Sequence, residues 1–190
     1  MTKYLYLLLA LFFASSCNSI VKNGLGINEP TANRAKIAAF ARKIPIKAYY
    51  YLQKDKYLDF IKENIADTNM VQKFCQPLQV LSFKNGILRS MSVNCNARGF
   101  PNLKWRFQTD SLGGFIGNMQ RIPAQFGIQN YLSACGAGDV LYDTENQIVV
   151  QWSYVTGRQT QLMIRKLQKI YPKQNIIYIN NDALYVEQKE

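Results

Sequence analysis

The sequence predicts a single layered α/β or α+β domain, and three observations carry that expectation. Segments of helical period alternate with short runs rich in isoleucine, valine and tyrosine, the pattern of packed helix and sheet layers. Asn85-Gly86 stands between two apolar runs, the strongest short-range signal for a β-hairpin. A chain of 190 residues, 48% of them hydrophobic, holds enough apolar material for one core and is short for two domains.

Taken in order, Asn28-Glu29-Pro30-Thr31 lead into a helix over residues 32–43, where Ile37, Phe40, Ala41 and Ile44 share a face and Pro45 ends the run. Residues 47–52 (KAYYYL) read as a short strand. A second amphipathic helix spans residues 55–66, with Leu58, Ile61 and Ile65 inward. Its Asp55, Asp59 and Glu63 recur every four residues, but Lys54, Lys56 and Lys62 are interleaved with them. That mixture reads as a solvated, charge-laced face and not as a metal or acid–base site. Residues 78–83 and 87–93 pair across Lys84-Asn85-Gly86. Residues 96–110, with Phe100-Pro101 and Trp105, form a loop and a short strand or turn. In residues 111–127, Gly113, Gly114 and Gly117 fit neither GxGxxG nor the P-loop, so no phosphate cradle is read there. Residues 140–143 and 148–152 read as strands across 144–147. The helix over 158–171 has Leu162, Met163, Leu167 and Ile170 as its apolar positions and carries Arg158, Arg165, Lys166 and Lys169 on a basic side. Residues 176–179 and 184–186 close the chain as an extra C-terminal hairpin around 180–183.

The strongest functional signal lies at the amino terminus, which reads MTKYLYLLLALFFASSC. Lys3 supplies positive charge, and the apolar run after it is about ten residues long, well under the roughly twenty that span hydrocarbon as a helix. It therefore reads as the apolar region of a signal peptide. The ending from Leu11 to Cys17, with Ala14, Ser15 and Ser16 before the cysteine, resembles the lipobox of bacterial lipoprotein precursors. Ala14 stands where that family usually prefers a larger aliphatic residue. The resemblance implies cleavage before Cys17, a diacylglyceryl thioether on its sulfur and a fatty acyl group on its new amine, and several acyl chains give stable anchoring where one does not. The chain then divides into a signal peptide (1–16), a lipid-anchored flexible tether (17–30) and a globular α/β domain (31–190). Asn18 is not the aspartate that some bacteria read as an inner-membrane retention signal, which favours the outer membrane of the cell envelope.

The formal charge is +11; losing residues 1–16 removes Lys3 and no acid, which leaves +10. Such a surplus suits an acidic partner, an anionic membrane or plain solubility, and the spread of the cations along the chain favours solubility. Nucleic acid is not expected, since no basic–aromatic recognition motif is present. There is no histidine. This excludes a Ser-His-Asp triad, a Cys-His dyad, an HExxH zinc site and histidine acid–base catalysis within the chain. Neither a cofactor nor a metal is expected.

Beyond Cys17, three cysteines remain: Cys75, Cys95 and Cys135. In an oxidising compartment two could pair, and spacing does not choose which. No CxxC is present. In Cys95-Asn96-Ala97-Arg98, the Arg98 guanidinium is placed to raise the thiolate fraction of Cys95, although a structural cysteine is the commoner meaning. Phe126-Gly127-Ile128, the run from Val140 to Trp152 and the helix ending at Tyr171 resemble the closing half of thioredoxin-like domains. There, two antiparallel strands follow an FGI-type segment and a final helix covers the sheet. Departures are the missing CxxC, Cys135-Gly-Ala-Gly138 in place of the family's proline, and the extension over 176–186. The resemblance implies a scaffold and not its chemistry. The leading expectation is a membrane-anchored envelope lipoprotein that binds or supports another envelope protein without catalysis. The alternative is a thiol-disulfide active lipoprotein using Cys95 with Cys75 or Cys135, and a tyrosine-lined pocket for a solute is a third reading.

Overall fold

The sheet is the frame on which every other element is placed. In the computed structural model, which describes residues 27–31, 33–93, 126–172 and 175–186, its strands are β1 (Tyr50–Tyr51), β2 (Gln79–Lys84), β3 (Ile87–Val93), β4 (Asn146–Trp152) and β5 (Ile176–Asn180). They lie in the order β1-β5-β4-β2-β3. β1, β5 and β4 run parallel, while β2 is antiparallel to both β4 and β3. The helices are α1 (Arg34–Ala41), α2 (Lys54–Asn64), α3 (Thr68–Phe74), α4 (Ile128–Cys135) and α5 (Gly157–Ile170), and a 3-10 turn covers Asp182–Leu184. The fold class is the one the sequence predicts: a mixed α/β domain built on one open sheet.

Alternation along the strands sorts the helices into two layers. Ile148, Val150 and Trp152 of β4, with Leu78, Val80 and Tyr178, meet Ile37, Phe40 and Ala41 of α1 and Met163, Ile164 and Leu167 of α5. Val149, with Leu81, Phe83, Ile177 and Ile179, meets Tyr57 and Ile61 of α2, Met70 and Phe74 of α3 and Tyr131, Leu132 and Cys135 of α4. The result is a sheet between an α1/α5 layer and an α2–α4 layer. β4, α5 and β5 form the parallel crossover unit that puts α5 on its face.

Local chemistry accounts for the element ends. Asn33 caps α1 by accepting from Ala35 N (2.9 Å) and Lys36 N (3.2 Å). Asn85 and Gly86 adopt φ of 52° and 73°, the paired positive values of a tight hairpin turn, and so fix the β2–β3 register. The sequence reading missed α3 and α4. Asp67 starts α3 by accepting from Asn69 N at 2.8 Å. Gly136, at φ 83°, ends α4, and a side chain there would collide with Gln53.

Two expected strands do not form. Residues 140–143 are irregular, because Asp143 turns the chain by accepting from Glu145 N (2.8 Å) and Asn146 N (3.3 Å), and Leu141 is 88% exposed. Both edges of β4 are already taken, by β2 and β5, so a third partner has nowhere to pair. The antiparallel pair on which the thioredoxin-like resemblance rests is therefore absent. In the same way β5 lies between β4 and β1, and the expected second arm over 184–186 is replaced by the 3-10 turn. The extra hairpin is reduced to a strand and a turn. The first helix is shorter than the expected 32–43, and the 47–52 strand shrinks to β1. Of the apolar positions on the last helix Leu162 is exposed, and Ile164, not among those singled out, is buried.

Candidate functional site

The chemistry-bearing residues fall into four places. Cys17, Cys95 and Arg98 lie outside the described residues, as do the signal peptide, the lipobox, most of the tether and residues 96–110. The other two cysteines are both free thiols. Cys135, at the end of α4, is sealed in the core, where loss of hydration pushes its thiol well above its ordinary value against opposing hydrogen bonds from Tyr131 and Gln151. Cys75, just after α3, is half-buried and its thiol is also raised by burial, with Lys62 acting the other way. The structure does not join these two; burial keeps Cys135 in the thiol form, and Cys75 is only partly shielded.

Around Cys135 lies a buried hydrogen-bond network on the α2–α4 side of the sheet. Gln151 Nε2 donates to Tyr131 Oη at 2.6 Å, and Gln151 Oε1 accepts from Asn181 Nδ2 (3.0 Å) and Gln79 Nε2 (3.2 Å). Tyr57 Oη donates to the Phe74 carbonyl at 2.7 Å. Burial raises both phenols far above their ordinary value, with the neighbouring Cys135 adding to the shift, so all these groups are neutral at physiological pH. Such a network fixes one packing of the core and offers no proton to exchange.

Asp182 is the third place, and nothing in its sequence context marked it. Its buried carboxylate sits past the carboxyl ends of β4 and β5, where open α/β sheets commonly hold ligands. Here the acceptors are occupied by the protein itself: Ser153 Oγ (2.5 Å), Asn180 Nδ2 (2.6 Å) and the Tyr154 amide (2.9 and 3.0 Å). The carboxylate thus closes the 153–156 turn that starts α5, a structural task.

The fourth place is a cleft of about 850 Å³ at the opposite, amino end of β5, lined by Lys47, Tyr50, Val140, Gln168, Tyr171 and Tyr178. It exists because β1 pairs only with Ile179 and Asn180, leaving the first residues of β5 uncovered on that side. Three tyrosines make it the nearest match to the expected tyrosine-lined pocket. Among the described residues, Lys47 is its one charged lining residue.

The surface has a stronger organisation than any of these. Residues 33–48, containing α1 and the turn after it, hold five cations and no acid, and residues 153–172, containing α5, hold four cations and no acid. Every one of those cations is exposed. In the other layer residues 54–75 hold four of each sign, and residues 126–140 add Asp139 alone. The expected charge-laced face is found there, with Asp55, Asp59 and Glu63 all exposed. The chain also enters the domain beside the basic layer, where Asn28 donates from its backbone to Val155 O (2.7 Å) and from its side chain to Tyr154 O (2.5 Å). The expected tether is therefore pinned at Asn28, two residues before its assigned end.

Among the described residues, no group of three or more cysteine, aspartate or glutamate side chains is placed to hold a metal ion, and no helix is long and apolar enough to cross a membrane. The site and fold define an α/β domain with one basic layer. No family model matches the chain, and no curated protein or solved structure does either.

Proposed function

We propose that the chain is the precursor of a bacterial envelope lipoprotein, cleaved before Cys17 and held on a membrane by acyl chains on that cysteine, with a binding or support role that involves no catalysis. The observation that carries this reading is the run from Lys3 to Cys17, a charged start, a short apolar stretch and small residues directly before a cysteine. Pinning of the chain at Asn28 supports it, since a domain joined at that point is held by a short lead of eleven residues counted from Cys17 (28 − 17). The thiol-active alternative centres on Cys95 with Arg98; of its two possible partners, Cys135 is sealed in the core and Cys75 is half-buried. Intact mass of the protein extracted from membranes tests the proposal. It predicts a chain beginning at Cys17 and carrying acyl mass; an unacylated chain, or one beginning elsewhere, would overturn it.

A further inference from the structure

We propose that the outer side of the α1/α5 layer is a docking surface for anionic membrane lipid, so that the basic face, and not the mixed face of α2–α4, lies against the bilayer. This rests on the lipid-anchored reading for its biological setting and for the third argument, while the first two observations are separate from it.

The first is the placement of charge. Solubility alone is served equally well by either layer, and the α2–α4 layer achieves it with mixed signs. Helix stability explains only some of the cations. Lys169 sits in the last turn of α5, where the dipole favours it, and Arg34 at the start of α1 packs over the Tyr51 ring at 4.8 Å. Arg158, the second residue of α5, stands in the turn where the dipole favours acids, and no acid accompanies it there.

The second is Leu162. It is 44% exposed, and its helical neighbours at four, three, four and seven residues are Arg158, Arg165, Lys166 and Lys169, all exposed. An apolar side chain ringed by cations is the pattern of a helix lying on a bilayer surface, with phosphates meeting the cations and the apolar tip entering the interface. The inward side of α5 is fully used by Met163, Ile164 and Leu167, so Leu162 has no place in the core.

The third is geometry. The chain arrives from Cys17 at Asn28, whose bonds to Tyr154 and Val155 lie directly before α5. Tyr154 also packs edge-on to Phe40 of α1 at 5.6 Å. Eleven residues span at most roughly 40 Å when extended. An anchor that enters on the basic layer brings that layer to the membrane first.

Co-sedimentation with lipid vesicles tests this, using the chain from residue 17 to 190 with Cys17→Ser so that no acyl chain contributes. Wild-type surface charge should bind vesicles containing about a third phosphatidylglycerol and not vesicles of phosphatidylcholine, and binding should fall as salt screens the charges. Arg165→Glu with Lys169→Glu should weaken binding at least tenfold, on the order of the two attractions lost. Lys56→Glu with Lys62→Glu makes the same change in net charge on the α2 side and should change binding less than twofold. Circular dichroism confirms that both variants are folded. Equal losses in the two variants, or binding to polyglutamate with none to the vesicles, would overturn the assignment. Because no acylation enters this assay, its failure is separate from any failure of Cys17 to be lipidated.

Discussion

The two helical layers on either side of the sheet differ in opposite ways inside and out. The α1/α5 layer has a mostly aromatic and aliphatic interior, centred on Trp152, with Phe40 stacked at 6.0 Å and Tyr49 edge-on at 5.2 Å, and an exterior whose charged residues in 33–48 and 153–172 are all cations. The α2–α4 layer has a polar network in its interior and a surface of balanced charge. The difference teaches that stability and interaction are handled in separate places. The mixed layer ties its core together through the Gln151 network, while the basic layer keeps its buried hydrogen bonds to the Ser153–Thr156–Thr160 start of α5 and carries on its surface the asymmetry that a partner can read.

The largest effect expected is on the aromatic side. Trp152→Ala removes the central side chain of that core and should cost about 3–5 kcal/mol, read as a lower midpoint in urea unfolding. A loss of under about 1 kcal/mol would show that α1 and α5 do not depend on it.

Next comes alkaline pH, which should act through the other layer. Tyr57, Tyr131 and Cys135 are fully buried and have raised pKa values there. Between the ordinary value of each group and its folded value, the folded state holds a proton that the unfolded chain has released, so stability falls as pH rises. The decline should begin above pH 9 for Cys135 and above pH 10 for the tyrosines. Each buried group adds a slope of about 1.4 kcal/mol per pH unit. Tyr49, pushed up to about 12 mainly by burial, adds a smaller contribution on the basic side. Stability measured from pH 8 to 11 that stayed level would contradict this.

How much of this was legible in the sequence follows from which interactions are local. The β2–β3 hairpin was readable because Asn85-Gly86 encodes its own turn. The solvated carboxylates of α2 were readable from the alternation of sign along one helix. The strand expected at 140–143 was not, because whether an apolar run becomes a strand depends on a free neighbouring edge, and β4 has none. α4 was hidden behind Gly127, which offers no capping side chain, and behind the FGI pattern that suggested a strand to come. The basic layer could be seen only after folding. Its cations come from two stretches more than a hundred residues apart, and along the chain they look evenly spread.

Two smaller changes sharpen the comparison. Tyr131→Phe deletes the 2.6 Å acceptor of Gln151 Nε2 and leaves that amide with only its contacts to Tyr57 and Cys135, which should cost about 1 kcal/mol by chemical denaturation. A neutral result would mean the network is not holding the α2–α4 core. Leu162→Ser should change stability by less than about 0.5 kcal/mol, as expected for an exposed site, while weakening attachment to anionic vesicles. An effect on stability with none on attachment would return Leu162 to the core.

The most direct test of the two-sided account is site-resolved labelling of the anchored protein in its own membranes. Leu162→Cys and Glu63→Cys place a thiol on the basic and the mixed layer in turn, and a membrane-impermeant maleimide followed by peptide mass spectrometry reads the rate at each. The account predicts that position 162 reacts at least tenfold more slowly than position 63 in membranes, and that the two rates converge once detergent releases the protein. Equal rates in intact membranes would contradict it.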